Sequence, residues 1–287
     1  MPKGGSLISL GDLSNPATVL VEKVCNAVGI IYEPVHIKRK ARAEAEAEKI
    51  KALARLELSE IEHRAVERLV HQEVRKQENI EKITAQAAAA LPENANVQNL
   101  DEDWIAHFFK QCDTVSDKEM QSLWARLLSG EATTPGAFSK RTVDFVSSID
   151  KKDAALFTKF GQFVWVLGEV SPLIYEIDDE VYAKHGINFD VLKHLDAIGL
   201  ISFEALGGYS RRGFGKYTHA FYYGQPTLIE FPSDEKNQIA TGHALLTATG
   251  KELVSICGSV RNEEFYLYVL RKWHQEGLIL SSHIVQR

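Results

Sequence analysis

The stretch from Leu206 to His219, LGGYSRRGFGKYTH, concentrates the residue types that most often do chemistry: glycines, three cations, a serine and four aromatic or imidazole rings. A phosphate-cradling loop needs a glycine, four residues, then Gly-Lys and a hydroxyl. Here Gly215-Lys216 is followed by Tyr217, Ser210 stands where the first glycine belongs, and Gly213 is followed by Phe214 rather than lysine. The pattern fails at both ends. Zinc-protease spacing (H-E-x-x-H), a C-x-x-C pair and a G-x-S-x-G elbow are all absent. Asp234-Glu235-Lys236 has the D-x-K spacing of a nuclease but falls in a turn rather than on a rigid strand, and Asp178, Asp179 and Glu180 read as a solvated helix start. The residues therefore predict no enzyme, no cofactor and no metal.

Arg211, Arg212 and Lys216, interleaved with Tyr209, Phe214 and Tyr217, are the candidate nucleic-acid contact, because clustered cations neutralise phosphates and aromatic rings stack on bases. Against this, the helix that would enter a groove, NFDVLKHLDAIGLI, sets Asp190 and Asp196 beside Lys193 and His194. Carboxylates facing phosphates cost affinity, so this part of the chain is better suited to a protein partner.

The element that dominates the chain is the segment from about His36 to Leu91, which has neither glycine nor proline and is filled with Ala, Glu, Lys, Arg, Gln and Leu. These are the strongest helix formers, and the segment predicts one uninterrupted helical arm of roughly 80 Å. Apolar residues at Ile50, Ala54, Leu58, Ile61, Ala65 and Leu69 recur every three or four positions, and Ile50, Leu58, Ile61 and Leu69 mark the expected oligomer contact. The spacing is looser than a strict heptad, so a one-sided amphipathic helix is expected rather than a clean coiled coil. Copies of itself are the expected partner; folding back on its own C-terminal domain is the alternative.

Ahead of the arm, residues 17–32 form a predicted apolar helix carrying Val19, Leu20, Val24, Val28 and Ile31, and Lys38, Arg39, Lys40 and Arg42 follow. An apolar helix joined to a polybasic cluster fits either an anchor on an anionic membrane surface or a helix buried in an oligomer. No run of about 20 apolar residues is present to cross a bilayer as a helix. With 287 residues, 45% hydrophobic, three scattered cysteines (Cys25, Cys112, Cys257) and a net charge of −6, the composition is that of a cytoplasmic globular chain, peripheral at the inner membrane if the anchor operates, and argues against a general nucleic-acid binder.

The expected fold class is α+β, mainly α. The predicted domains are the apolar helix (1–35), the charged arm (36–91), a helical bundle (100–168) and a winged-helix-like α+β domain (169–287). Pro92–Asn99 is the expected linker between arm and bundle, and Trp104, Phe108, Trp124, Leu127, Phe145, Leu156, Phe160 and Trp165 the bundle core. The segments SLGDLSNPATVLVEKVCNAVG, IKRKARAEAEAEKIKAL and LWARLLSGEATTPGAFSKRTVDFVSSIDKKDAALF resemble domain-of-unknown-function family 2806, a bacterial family without established catalytic residues. The order of apolar helix, arm and W-A-R-L-L segment is also similar to the abortive-infection alpha proteins. That second likeness implies defence against phage; together with the absent catalytic motifs and the self-associating arm, the expected function is a non-enzymatic sensor or effector scaffold working as a homo-oligomer, and a nucleic-acid-binding regulator is the alternative.

Overall fold

A computed structural model describes residues 14–29 and 59–282. The chain is α+β and mainly α, in two compact units that meet between Ser147 and Ser148.

In the N-terminal unit, α1 (Asn15–Val28) ends at Gly29, whose left-handed backbone (φ 72°) stops the helix four residues before the predicted end at Tyr32. The next described helix, α2 (Glu60–Ala90), is about 46 Å long, and it corrects the single arm expected from His36 onward. Ser59 is extended (φ −60°, ψ 157°), and the Glu62 carboxylate accepts hydrogen bonds from the Ser59 N–H and hydroxyl, both at 2.8 Å. This capping box starts a helix within a segment that contains no Gly or Pro. Two hydrogen bonds at a serine do what no breaker residue was there to do.

The C-terminal half of α2 packs against α1, α3 (Glu102–Cys112) and α4 (Lys118–Thr133), burying Ile80, Ile83, Ala87 and Ala88. A buried amide pair locks it there. Asn79 Nδ2 donates to the Asp113 carbonyl at 2.8 Å, and Gln121 Nε2 donates to Asn79 Oδ1 at 3.1 Å and to the Val115 carbonyl at 2.9 Å. Trp104 stacks on Phe108, which meets Trp124 edge to face. Asp117 caps α4, accepting from the Glu119 and Met120 N–H groups. α5 (Lys140–Ser148) completes the unit.

The expected linker separates nothing. Leu91, Val97 and Leu100 are buried in this unit, and a single 3₁₀ turn at Val97–Asn99 carries the chain from α2 to α3. The bundle core predicted for 100–168 is likewise divided: Trp104, Phe108, Trp124 and Leu127 are buried in the N-terminal unit, Phe160 and Trp165 in the C-terminal one, and Phe145 and Leu156 are half-buried.

The C-terminal unit opens with α6 (Lys151–Gly161), and the helical bundle expected to run to residue 168 ends there, because Val164–Leu167 is a strand, β1, continuing through a turn into β2 (Glu169–Pro172). After α7 (Glu180–Ala183) and α8 (Phe189–Ala197) come β3 (Ile201–Phe203), β4 (Tyr209–Phe214), β5 (Tyr217–Tyr222), β6 (Gln225–Glu230), β7 (Asn237–Gly242) and β8 (Ala244–Leu246). α9 (Ala248–Val254), α10 (Glu263–Gln275) and β9 (Ile279–Ser282) close the described chain. The main sheet is antiparallel in the order β2-β1-β5-β6-β9. Trp165 stacks on Tyr222 and Tyr266 and meets Trp273 edge to face, joining the sheet to α10.

Two ribbons, β4–β7 and β3–β8, complete the unit. Gly242 lets them meet Ile174: a Cβ at 242 would lie 1.7 Å from the Ile174 carbonyl oxygen. Thr247 caps α9, its hydroxyl accepting from the Gly250 N–H at 3.0 Å and donating to the Gly199 carbonyl at 2.7 Å. A Cβ at Gly250 would sit 2.0 Å from the Leu200 carbonyl oxygen. Thr247 and Gly250 thus fasten α9 to the Gly199–Leu200 turn ahead of β3.

Candidate functional site

The first half of α2 is the most conspicuous surface among the described residues. Ile61 is 68% exposed, Leu69 57%, Val70 45% and Val74 53%. Ala65, Val66, Leu69 and Val70 each precede Ile83, Thr84, Ala87 and Ala88 by about five full turns at 3.6 residues per turn, so both quartets lie on one side of the helix. The second quartet is buried against α1 and α4, while the first has no cover apart from a half-buried Val66. One apolar stripe therefore runs the length of the helix, covered only from Asn79 onward. Fully burying a Leu or Ile side chain contributes about 1.5–3 kcal/mol, which the open half forgoes.

Charge along this half is polarised. Glu60, Glu62 and Glu67 outnumber Arg64 in the first turns, and Arg68, Arg75 and Lys76 outnumber Glu73 in the later ones. Lys76 is paired with Glu73 at 3.1 Å and Asp113 at 3.7 Å, and Arg75 Nε donates to the Ser116 hydroxyl at 3.1 Å, so the cationic end is held in place. The Ser59 hydroxyl and N–H hold the Glu62 carboxyl below the usual range, keeping the other end anionic.

Of the other predicted contacts, Ile31, Lys38, Arg39, Lys40, Arg42, Ile50 and Leu58 lie outside the described residues. Leu20 and Val24 are in the core of the N-terminal unit, facing inward from α1, so they form no free surface; Val19 and Val28 are half-buried. The W-A-R-L-L segment is likewise structural. Trp124 is in the core, Gly130 abuts the Phe138 ring, and the buried Glu131 carboxylate accepts from the Gly136 N–H at 2.6 Å and the Phe138 N–H at 2.8 Å.

Arg211 and Arg212 are successive residues of β4 and so point to opposite faces. Arg211 pairs with Glu169 at 3.2 Å and donates to the Ser171 hydroxyl, and Lys216 pairs with Asp234 at 3.0 Å. The strand does not bring the three cations together.

A cleft of about 370 Å³ lies beside Gly242, lined by Tyr175, Tyr209, His243, Lys272 and Glu276 among others. Lys272 sits 3.8 Å from Glu176 and 5.3 Å from the Tyr175 ring centre, and His243 Nδ1 is 2.7 Å from the Glu204 carbonyl oxygen. Burial pushes both the Tyr175 hydroxyl and the Glu276 carboxyl upward, and for Tyr175 this disfavours the phenolate. No group of three His, Cys, Asp or Glu able to hold a metal occurs among the described residues, and no described helix is long and apolar enough to cross a membrane.

Residues 63–270, well over half of the chain and parts of both units, match the family described as "Protein of unknown function (DUF2806)". The chain belongs to this family. No curated protein and no solved structure matches it. The DUF2806 region begins at His63 and so takes in Leu69, Val70 and Val74 of the open stripe, along with the Asn79–Gln121 lock and the Gly242 and Gly250 close approaches. Sequence reasoning had the stripe, through Ile61 and Leu69. It missed the lock, whose signal is a lone asparagine on an apolar face.

Proposed function

We propose that this DUF2806 chain is a non-enzymatic scaffold that assembles through the open half of α2, each copy covering the stripe of another. The single observation behind the reading is the repeated quartet: the same pattern that is buried at Ile83–Ala88 stands exposed at Ala65–Val70. The charge pattern favours antiparallel pairing. Antiparallel copies set the Glu60–Glu67 end against the Arg68–Lys76 end and oppose their helix dipoles, whereas parallel copies set like charges together.

In mass photometry of the full chain, a particle larger than one copy is expected, and Leu69→Glu reduces it to a single copy with the circular dichroism spectrum retained. A single-copy particle for the unaltered chain defeats the proposal.

The finer reading has three further parts. α8, β3, β8 and the Thr247-capped α9 support a winged-helix-like arrangement with the β4–β7 excursion inserted between the wing strands. Lys38, Arg39, Lys40 and Arg42 suit peripheral contact with anionic lipid, for which flotation of the full chain with phosphatidylserine vesicles is the test. The likeness to abortive-infection alpha proteins supports a sensor or effector role in antiviral defence; plaque counts that do not differ between cells with and without the protein count against it.

A further inference from the structure

Among the described residues β9 is an outer strand of the main sheet, paired with β6 on one side through Ile279–Ser282. In an antiparallel pair only alternate residues exchange hydrogen bonds with their neighbour. The others in β9 direct N–H and C=O groups outward, ready to pair with another extended chain. Alongside lies an apolar groove of about 470 Å³ lined by Leu267, Leu270, Arg271, His274 and Gln275 of α10 and Leu280 of β9. Leu267 is 49% exposed. Among the described residues, both ionisable groups that line the groove are basic, and no carboxylate does.

We infer that this edge and groove dock an extended, carboxylate-flanked apolar segment of a partner protein, which adds a strand to β9 and drops alternate side chains between α10 and Leu280. Three features converge on that occupant. The free backbone edge calls for a strand, the leucines call for apolar side chains at every second position, and Arg271 with His274 calls for acidic flanks. A second copy fits less well, because two-fold pairing of β9 on β9 sets Arg271 and His274 of both copies against one another. This surface is independent of the stripe on α2.

The test uses the full chain and three fluorescein-labelled peptides read by anisotropy: Asp-Leu-Thr-Val-Thr-Leu-Asp, the same core flanked by lysines, and the Asp-flanked peptide with alternate amides N-methylated. The Asp-flanked peptide is expected to bind at least tenfold more tightly than the Lys-flanked one, and N-methylation to abolish binding. Leu267→Asp, at an exposed position that folding does not depend on, abolishes it too, and Arg271→Glu reverses the flank preference. No saturable binding, equal affinity for both flanks, or binding unchanged in Leu267→Asp each overturns the inference. So does a fall in particle mass for Leu267→Asp, which would assign the groove to a second copy, whereas loss of assembly in Leu69→Glu bears only on α2.

Discussion

At Gly242 two ribbons and the segment after β2 approach so closely that only a hydrogen fits. Its φ of 81° lies in the left-handed region, and a methyl group would lie inside the Ile174 carbonyl oxygen. Gly242→Ala is therefore expected to cost more than about 3 kcal/mol, read as a lower denaturant midpoint for the C-terminal unit. Asn79→Leu makes the matching point in the other unit. It leaves the Asp113 carbonyl and a Gln121 amide proton without their partner, at about 1–3 kcal/mol. Glu169 gives a pH dependence. A hydrogen bond from Lys251 and then the charge of Arg211 hold its carboxyl low, so the stability it contributes is present above the unfolded carboxylate value and is lost as pH falls through the folded one. Thermal melts between about pH 5 and pH 3 should show a decline that Glu169→Gln flattens.

Among the elements, α2 carries the proposed assembly surface, and it shows what was legible in the sequence. The apolar periodicity gave the helix and the residues of its sticky side, because a 3.6-residue repeat survives any tertiary context. The start of the helix was hidden, because Ser59 and Glu62 look like ordinary helix-compatible residues until their hydrogen bonds are seen. β1 was hidden for a related reason. Val164–Leu167 continues the apolar run of α6 without a breaker, and only its antiparallel pairing with β2 and β5 makes it a strand. β4 and β7 were unread because Gly213 and the polar run before Ile239 mask their alternation. The cationic site was legible as composition but not as geometry, since strand pleating and internal carboxylates disperse it. Ser59→Ala is expected to weaken the start of α2 by about 0.5–2 kcal/mol, seen as faster amide exchange across residues 60–70 with little change beyond Asn79.

For the whole molecule, the division at Ser147/Ser148 means that residues 148–287 should fold when expressed alone, with a single cooperative melt and the near-ultraviolet signal of the packed Trp165, Tyr222 and Trp273 rings. The order β2-β1-β5-β6-β9 has a further consequence, in time rather than in space. Val166 must find Phe221, and β6 must find β9 across a similar span of chain, before the sheet closes, whereas each helix of the other unit forms its backbone hydrogen bonds locally, before any packing. Loop closure of that length slows folding, so refolding after a denaturant jump should be biphasic, with the helical signal returning first and tryptophan fluorescence lagging. During synthesis the sticky helix would then be ready for company while the sheet behind it is still unmade.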